Sequence, residues 1–115
     1  MTAIAALLGF LAVALGAFGA HGLEGRLSAE QQGWWETATL YALAHAVAAL
    51  AVSLSGRGGL TAWGGWAFIL GALIFAGTLY AMALGAPRWF GAITPIGGVA
   101  LLAGWAMVAI AAMRA

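Results

Sequence analysis

The chain has no cysteine and no lysine, and its only charged residues are four Arg and three Glu among 115. Without cysteine there is neither a disulfide nor a thiolate metal site. Four Arg spread along the chain make no basic stripe, so nucleic acid is not an expected partner. Sparse charge also excludes an ordinary soluble domain. Hydrophobic residues make up 65% of the sequence and charged residues 6%, too little polar surface to cover so much apolar material in water.

What is present is four apolar stretches, residues 2–20, 35–54, 63–84 and 95–113. Each approaches the ~20 residues needed to cross ~30 Å of hydrocarbon. The expected fold is all-α: one integral membrane domain, a bundle of four transmembrane helices whose backbone amides are satisfied within each helix. No Lys or Arg precedes the first stretch and three more spans follow, so it is read as a retained anchor rather than a cleaved signal. An even number of spans puts both termini on one side with the second turn. Arg57 and Arg114 lie there, Arg26 and Arg88 on the other side. The amino terminus adds one charge to the first side, which favours cytoplasmic termini.

Local punctuation marks the helix ends. Ser28 and Gln31 have capping-box spacing, so the second helix is expected to begin at Ser28, before its apolar part. Gly85 and Pro87 end the third helix, and Thr94 with Pro95 reads as N-cap and first-turn proline of the fourth. Trp34, Trp35, Trp63, Trp66 and Trp89 fall near span ends and are expected as interface anchors. Only Trp105 looks deeper. Small residues recur at seven-residue spacing: Gly9 and Gly16, Ala42 and Ala49, Gly64 and Gly71, Gly97 and Gly104. In lipid such stripes let backbones approach closely and pack. The expectation is a tight bundle, with self-association through glycine faces as a further use.

Polar residues gather toward the side of the first and third turns. His45 stands near the centre of the second span, and Thr37, Tyr41 and His45 share one helix face at four-residue steps. An intramembrane ionisable group is costly unless neutral, bonded or wet. His45 therefore either locks the bundle as a neutral imidazole or ends a polar vestibule as a proton or ligand site, with Thr37, Tyr41, Tyr80 and His21 as companions. His21 closes the first span, as a structural cap or a headgroup contact. Glu36 is either a solvated interfacial acid or a partner of Arg26, Arg88 or His21. No catalytic triad, phosphate-cradling loop or metal-spaced histidine pair appears, so no enzyme, cofactor or metal is expected.

The run Leu15 to His21, then Gly33-Trp34, Thr37, Tyr41 and His45, then Phe75 to Tyr80, and finally Thr94 to Gly98 with Gly104-Trp105-Ala106, resembles domain-of-unknown-function family 423. It is also called the transmembrane protein 256 family. The resemblance implies a small four-helix inner-membrane protein of bacteria, with relatives in mitochondria, and no particular activity. By position it extends to His21, Trp34, Tyr41, His45, Gly77, Tyr80, Pro95, Gly97, Gly98, Gly104 and Trp105. The family pattern often has Gln after the tyrosine and Ser after the glycine, where this chain has Ala42 and Thr78. Two function classes follow. One is a structural or lipid-associated protein with membrane lipid as partner, and the other a small proton-linked transporter or channel using the His45 vestibule.

Overall fold

The computed structural model describes all 115 residues. It contains α1 (Thr2–His21), α2 (Ala29–Leu54), α3 (Gly59–Ala83) and α4 (Thr94–Arg114), with a 3-10 turn at Arg88–Ala92. All four helices are long and apolar enough to cross a membrane.

The helix ends follow local chemistry. Ser28 Oγ accepts from the Gln31 amide at 3.1 Å, and Gln31 Oε1 accepts from the Ser28 amide at 3.0 Å, closing the capping box. These reciprocal bonds satisfy two of the amides that any helix start leaves free, and α2 extends well ahead of its apolar part. Beyond α3, Gly85 takes φ +108°, a conformation costly for any residue with a Cβ. The start of α4 departs from expectation. Ile93, not Thr94, is the N-cap, and no side chain caps the helix. The Thr94 hydroxyl instead pairs with Thr78 Oγ1 on α3 at 2.6 Å and lies within reach of the Phe90 carbonyl at 3.3 Å, while Thr78 reaches back to the Ile74 carbonyl at 2.8 Å.

Each helix packs mainly on its neighbours in sequence, α1 on α2, α2 on α3 and α3 on α4, while α1 and α3 only touch. The result is flattened, 50 × 26 × 17 Å, with α1 and α4 at opposite edges. Its interior is rich in small residues, among them Ala12, Ala38, Ala42, Ala46, Ala49 and Ala72, set beside a few large ones such as Trp35, Phe68 and Leu101. Large apolar side chains such as Phe10, Leu40, Val47 and Leu102 point outward. That inversion suits lipid, where apolar side chains gain nothing by hiding and close backbone contact supplies the attraction.

The glycine stripes meet inside the chain. A methyl group on Gly64 would lie 2.9 Å from the Gly104 carbonyl oxygen, and one on Gly104 3.0 Å from that of Gly64. Gly71 and Gly97 repeat the arrangement, each 2.9 Å from the other's carbonyl oxygen. The antiparallel register thus places two glycine pairs, seven residues apart on both helices, along one α3–α4 seam. On the α1–α2 seam, Gly16 faces the Thr39 methyl and Gly9 faces Ala46. These faces are occupied within one chain, so contact between copies would require a different surface.

Candidate functional site

His45 is 7% exposed and hydrogen-bonded at both ring nitrogens. Indole can only donate, so the Trp105 Nε1–H donates to His45 Nε2 at 3.0 Å and that nitrogen must carry a lone pair. The other partner is the Tyr41 carbonyl, which can only accept, so Nδ1 carries the hydrogen and donates at 2.7 Å. The network assigns a neutral imidazole in the Nδ1–H tautomer. A second proton would set an N–H on Nε2 against the indole N–H. Phe68 and Trp105 pack around the ring with centroids 5.5 and 5.9 Å away. The bond joins helices that are otherwise apart, because α2 and α4 have little backbone contact and meet here through side chains across α3.

A second polar tie lies on the α1 side. Trp35 Nε1–H donates to the Leu15 carbonyl of α1 at 2.8 Å. Gly19 makes room for it, since any side chain at that position would collide with the indole. The Tyr80 and Trp35 rings meet edge-on with centroids 4.6 Å apart, and the Tyr80 hydroxyl pairs with Thr39 Oγ1 at 2.6 Å. Helices α1, α2 and α3 are joined by this cluster. At the opposite end the Thr2 and Ser53 hydroxyls pair between α1 and α2. We expect Gly19→Ala to cost about 1–3 kcal/mol through overpacking. The cost should shrink when Trp35→Leu is present, because the clashing ring is then gone. Unfolding of the two single variants and the double variant in detergent checks this; additive losses would count against the assigned contact.

Several sequence expectations are redistributed. Trp35 is not an interface anchor: it is 2% exposed, because its ring fills the gap left by Gly19 and its N–H finds a carbonyl inside the bundle. Trp63, Trp66 and Trp89 are exposed. Half-buried Trp34 carries the Arg88 guanidinium 5.6 Å above its ring, and Arg88 also pairs with Glu30 at 2.6 Å. Thr37 is exposed and makes no side-chain hydrogen bond, so the polar stripe does not continue from it to His45. Tyr41 serves through its carbonyl rather than its hydroxyl, with its ring 4.5 Å from Phe75. Tyr80 belongs to the Trp35 cluster on the other side of α2. Exposed His21 ends α1 without a side-chain bond, and the turn is closed by Gly22 N–H to the Phe18 carbonyl. Glu36 accepts only from Gln32, at 3.4 Å.

These ties leave grooves on the bundle surface. The largest, about 460 Å³, runs between α2 and α4 over Phe75, bordered by Tyr41, His45, Pro95, Gly98 and Trp105. A narrower one of about 180 Å³ lies between α1 and α3 over Ala42. The second is almost wholly apolar and the first mostly so. Sequence reasoning missed Thr39 and the partnership of Trp105 with His45. A mid-span tryptophan and a mid-span histidine at matching depth were the available signal for the latter.

The class these features define is a small integral membrane protein whose spanning helices are tied by interhelical polar pairs. The chain belongs to the family described as "Protein of unknown function (DUF423)", whose model matches residues 15–98. It is similar to the UPF0382 membrane protein YwdK of Bacillus subtilis, 42% identical over 116 residues that cover 96% of this chain and 94% of that one. The UPF0382 inner membrane protein YgdD of Escherichia coli K12 is 39% identical, with coverage of 99% and 89%. A UPF0382 membrane protein of Staphylococcus epidermidis is 45% identical over 94 residues, 80% of this chain and 77% of that one. No solved structure matches the chain.

Proposed function

We propose that this is a non-enzymatic, multi-pass protein of the inner (plasma) membrane that acts as a structural scaffold, presenting its grooves and outer helix faces to lipid or to partner helices. The observation that supports it most is the imidazole of His45, whose two nitrogens are both spent on fixed partners, Trp105 and the Tyr41 carbonyl. A proton carrier needs a nitrogen that can exchange. The division of the polar residues adds support, since Thr39 and Tyr80 join the α1 side while His45 and Trp105 join the α4 side. A proton-linked transporter or channel would require those groups to share one wet path. In this reading the termini face the cytoplasm, on the side of Arg57 and Arg114, and self-association uses outer faces rather than the occupied glycine stripes.

The test is proton flux in proteoliposomes under an imposed pH gradient. The rate is expected to equal that of protein-free liposomes, with and without His45→Gln. Flux above that background, lost in His45→Gln, would overturn the scaffold reading in favour of transport.

A further inference from the structure

We infer that a shallow groove between α2 and α4, at the end of the bundle holding Arg57, binds the phosphate headgroup and upper chain of an anionic phospholipid. This deepens the lipid-associated reading above and rests on it. The groove has a volume of about 310 Å³ and is lined by Ala51, Val52, Ser55, Arg57, Thr61, Val108 and Ala112. Its floor is apolar and its rim cationic. Along the same face it lies on the opposite side of the His45–Trp105 tie from the 460 Å³ groove, so each half of the membrane has its own recess.

Charge singles this recess out. Of the four grooves, two contain no charged residue and the α1–α2 groove contains Glu36, which would repel an anion. Only the Arg57 groove offers a cation without an acid. Arg88, by contrast, is already paired with Glu30 at 2.6 Å, whereas Arg57 makes no ion pair. The Arg57 backbone is also held in place. Ser55 Oγ donates to the Val52 carbonyl at 2.6 Å and accepts from the Arg57 amide at 3.2 Å, which fixes the chain where it leaves α2. The Thr61 hydroxyl has no side-chain partner and can donate to a phosphate oxygen. An arginine in this position can lay its methylenes along Val52 and keep its planar, multi-donor head at phosphate depth. Zwitterionic phosphatidylcholine also has a phosphate, but its quaternary amine opposes the same field, so net negative lipids are favoured.

The full-length protein in detergent is incubated with mixed micelles of phosphatidylglycerol and phosphatidylcholine of identical chains, repurified, and its retained lipids are quantified. Phosphatidylglycerol is expected to be enriched about fivefold, the effect of one arginine near an anionic headgroup. Arg57→Gln should bring the ratio to near one. The pair Ala51→Leu and Ala112→Leu, which fills the groove and leaves every charge in place, should do the same. Arg114→Gln should leave the enrichment intact. All four altered positions are exposed, so unchanged helicity and elution are expected and are checked alongside. Enrichment that survives Arg57→Gln overturns the proposal, as does enrichment lost equally in Arg114→Gln, the mark of general surface charge. Displacement of the lipid by inorganic phosphate alone would also overturn it. Equal retention of both lipids by the unaltered protein sinks this inference and leaves the scaffold reading standing, whereas retention of neither removes the lipid-associated reading as well.

Discussion

Gly97→Leu is expected to separate α3 from α4 and to lower stability by about 3 kcal/mol, the upper end of typical overpacking. The cause is contact with backbone rather than side chain. A single methyl at Gly97 would already sit 2.5 Å from the Phe75 amide nitrogen and 2.9 Å from the Gly71 carbonyl oxygen. A flexible side chain could swing away from such a clash, but a helix backbone cannot, so the helices must part and the Gly64–Gly104 pair loses contact with them. The control is another glycine of the same pair of helices. A methyl at Gly77 meets nothing within 4 Å, so Gly77→Ala should stabilise by about 0.5–1 kcal/mol through helix propensity alone. Unfolding in mixed micelles compares the two. Similar responses at Gly97 and Gly77 would mean that the α3–α4 seam is not where the structure puts it.

The second large effect concerns the tie across α3. His45→Phe keeps an aromatic ring in the core but leaves the Trp105 N–H without its acceptor, and should cost about 2 kcal/mol. Trp105→Phe leaves the lone pair of His45 Nε2 unpaired and should cost a similar amount. Removing both groups removes the mismatch. The double variant should therefore lose less than the sum, with a coupling of about 0.6–1.7 kcal/mol, the range of interhelical hydrogen bonds within membranes. The same unfolding assay gives all four corners of the cycle. A coupling of zero would show that the two rings are neighbours without a bond.

The four spans, the capping box at Ser28 and Gln31, and the turn at Gly85 and Pro87 were legible in the sequence because each depends on local chemistry or on composition over one helix. Rotation of a helix about its axis was not. In a soluble protein the apolar face reveals the inside, but here every face is apolar and that signal vanishes. Trp34 and Trp35 are adjacent and equally suited to an interface by type. Trp35 turns inward because α1 offers a gap at Gly19 and a carbonyl at Leu15, facts held by another helix. Thr37 and Thr39 differ in the same way: two residues apart, they point to different sides, and only Thr39 meets Tyr80. The seven-residue glycine spacing was visible, but it could not say whether its complement lay on another copy or, as the α3–α4 register has it, on the next helix of the same chain.

The one histidine at membrane depth is a fixed interhelical tie. Nitrogen-15 NMR of imidazole-labelled protein in lipid nanodiscs at neutral pH tests it most directly. A single neutral ring, protonated at Nδ1 and unprotonated at Nε2, with a coupling from the Trp105 indole N–H, is the predicted spectrum. A doubly protonated ring, the opposite tautomer, or nitrogens exchanging with water would contradict the account and return His45 to a solvent-connected path.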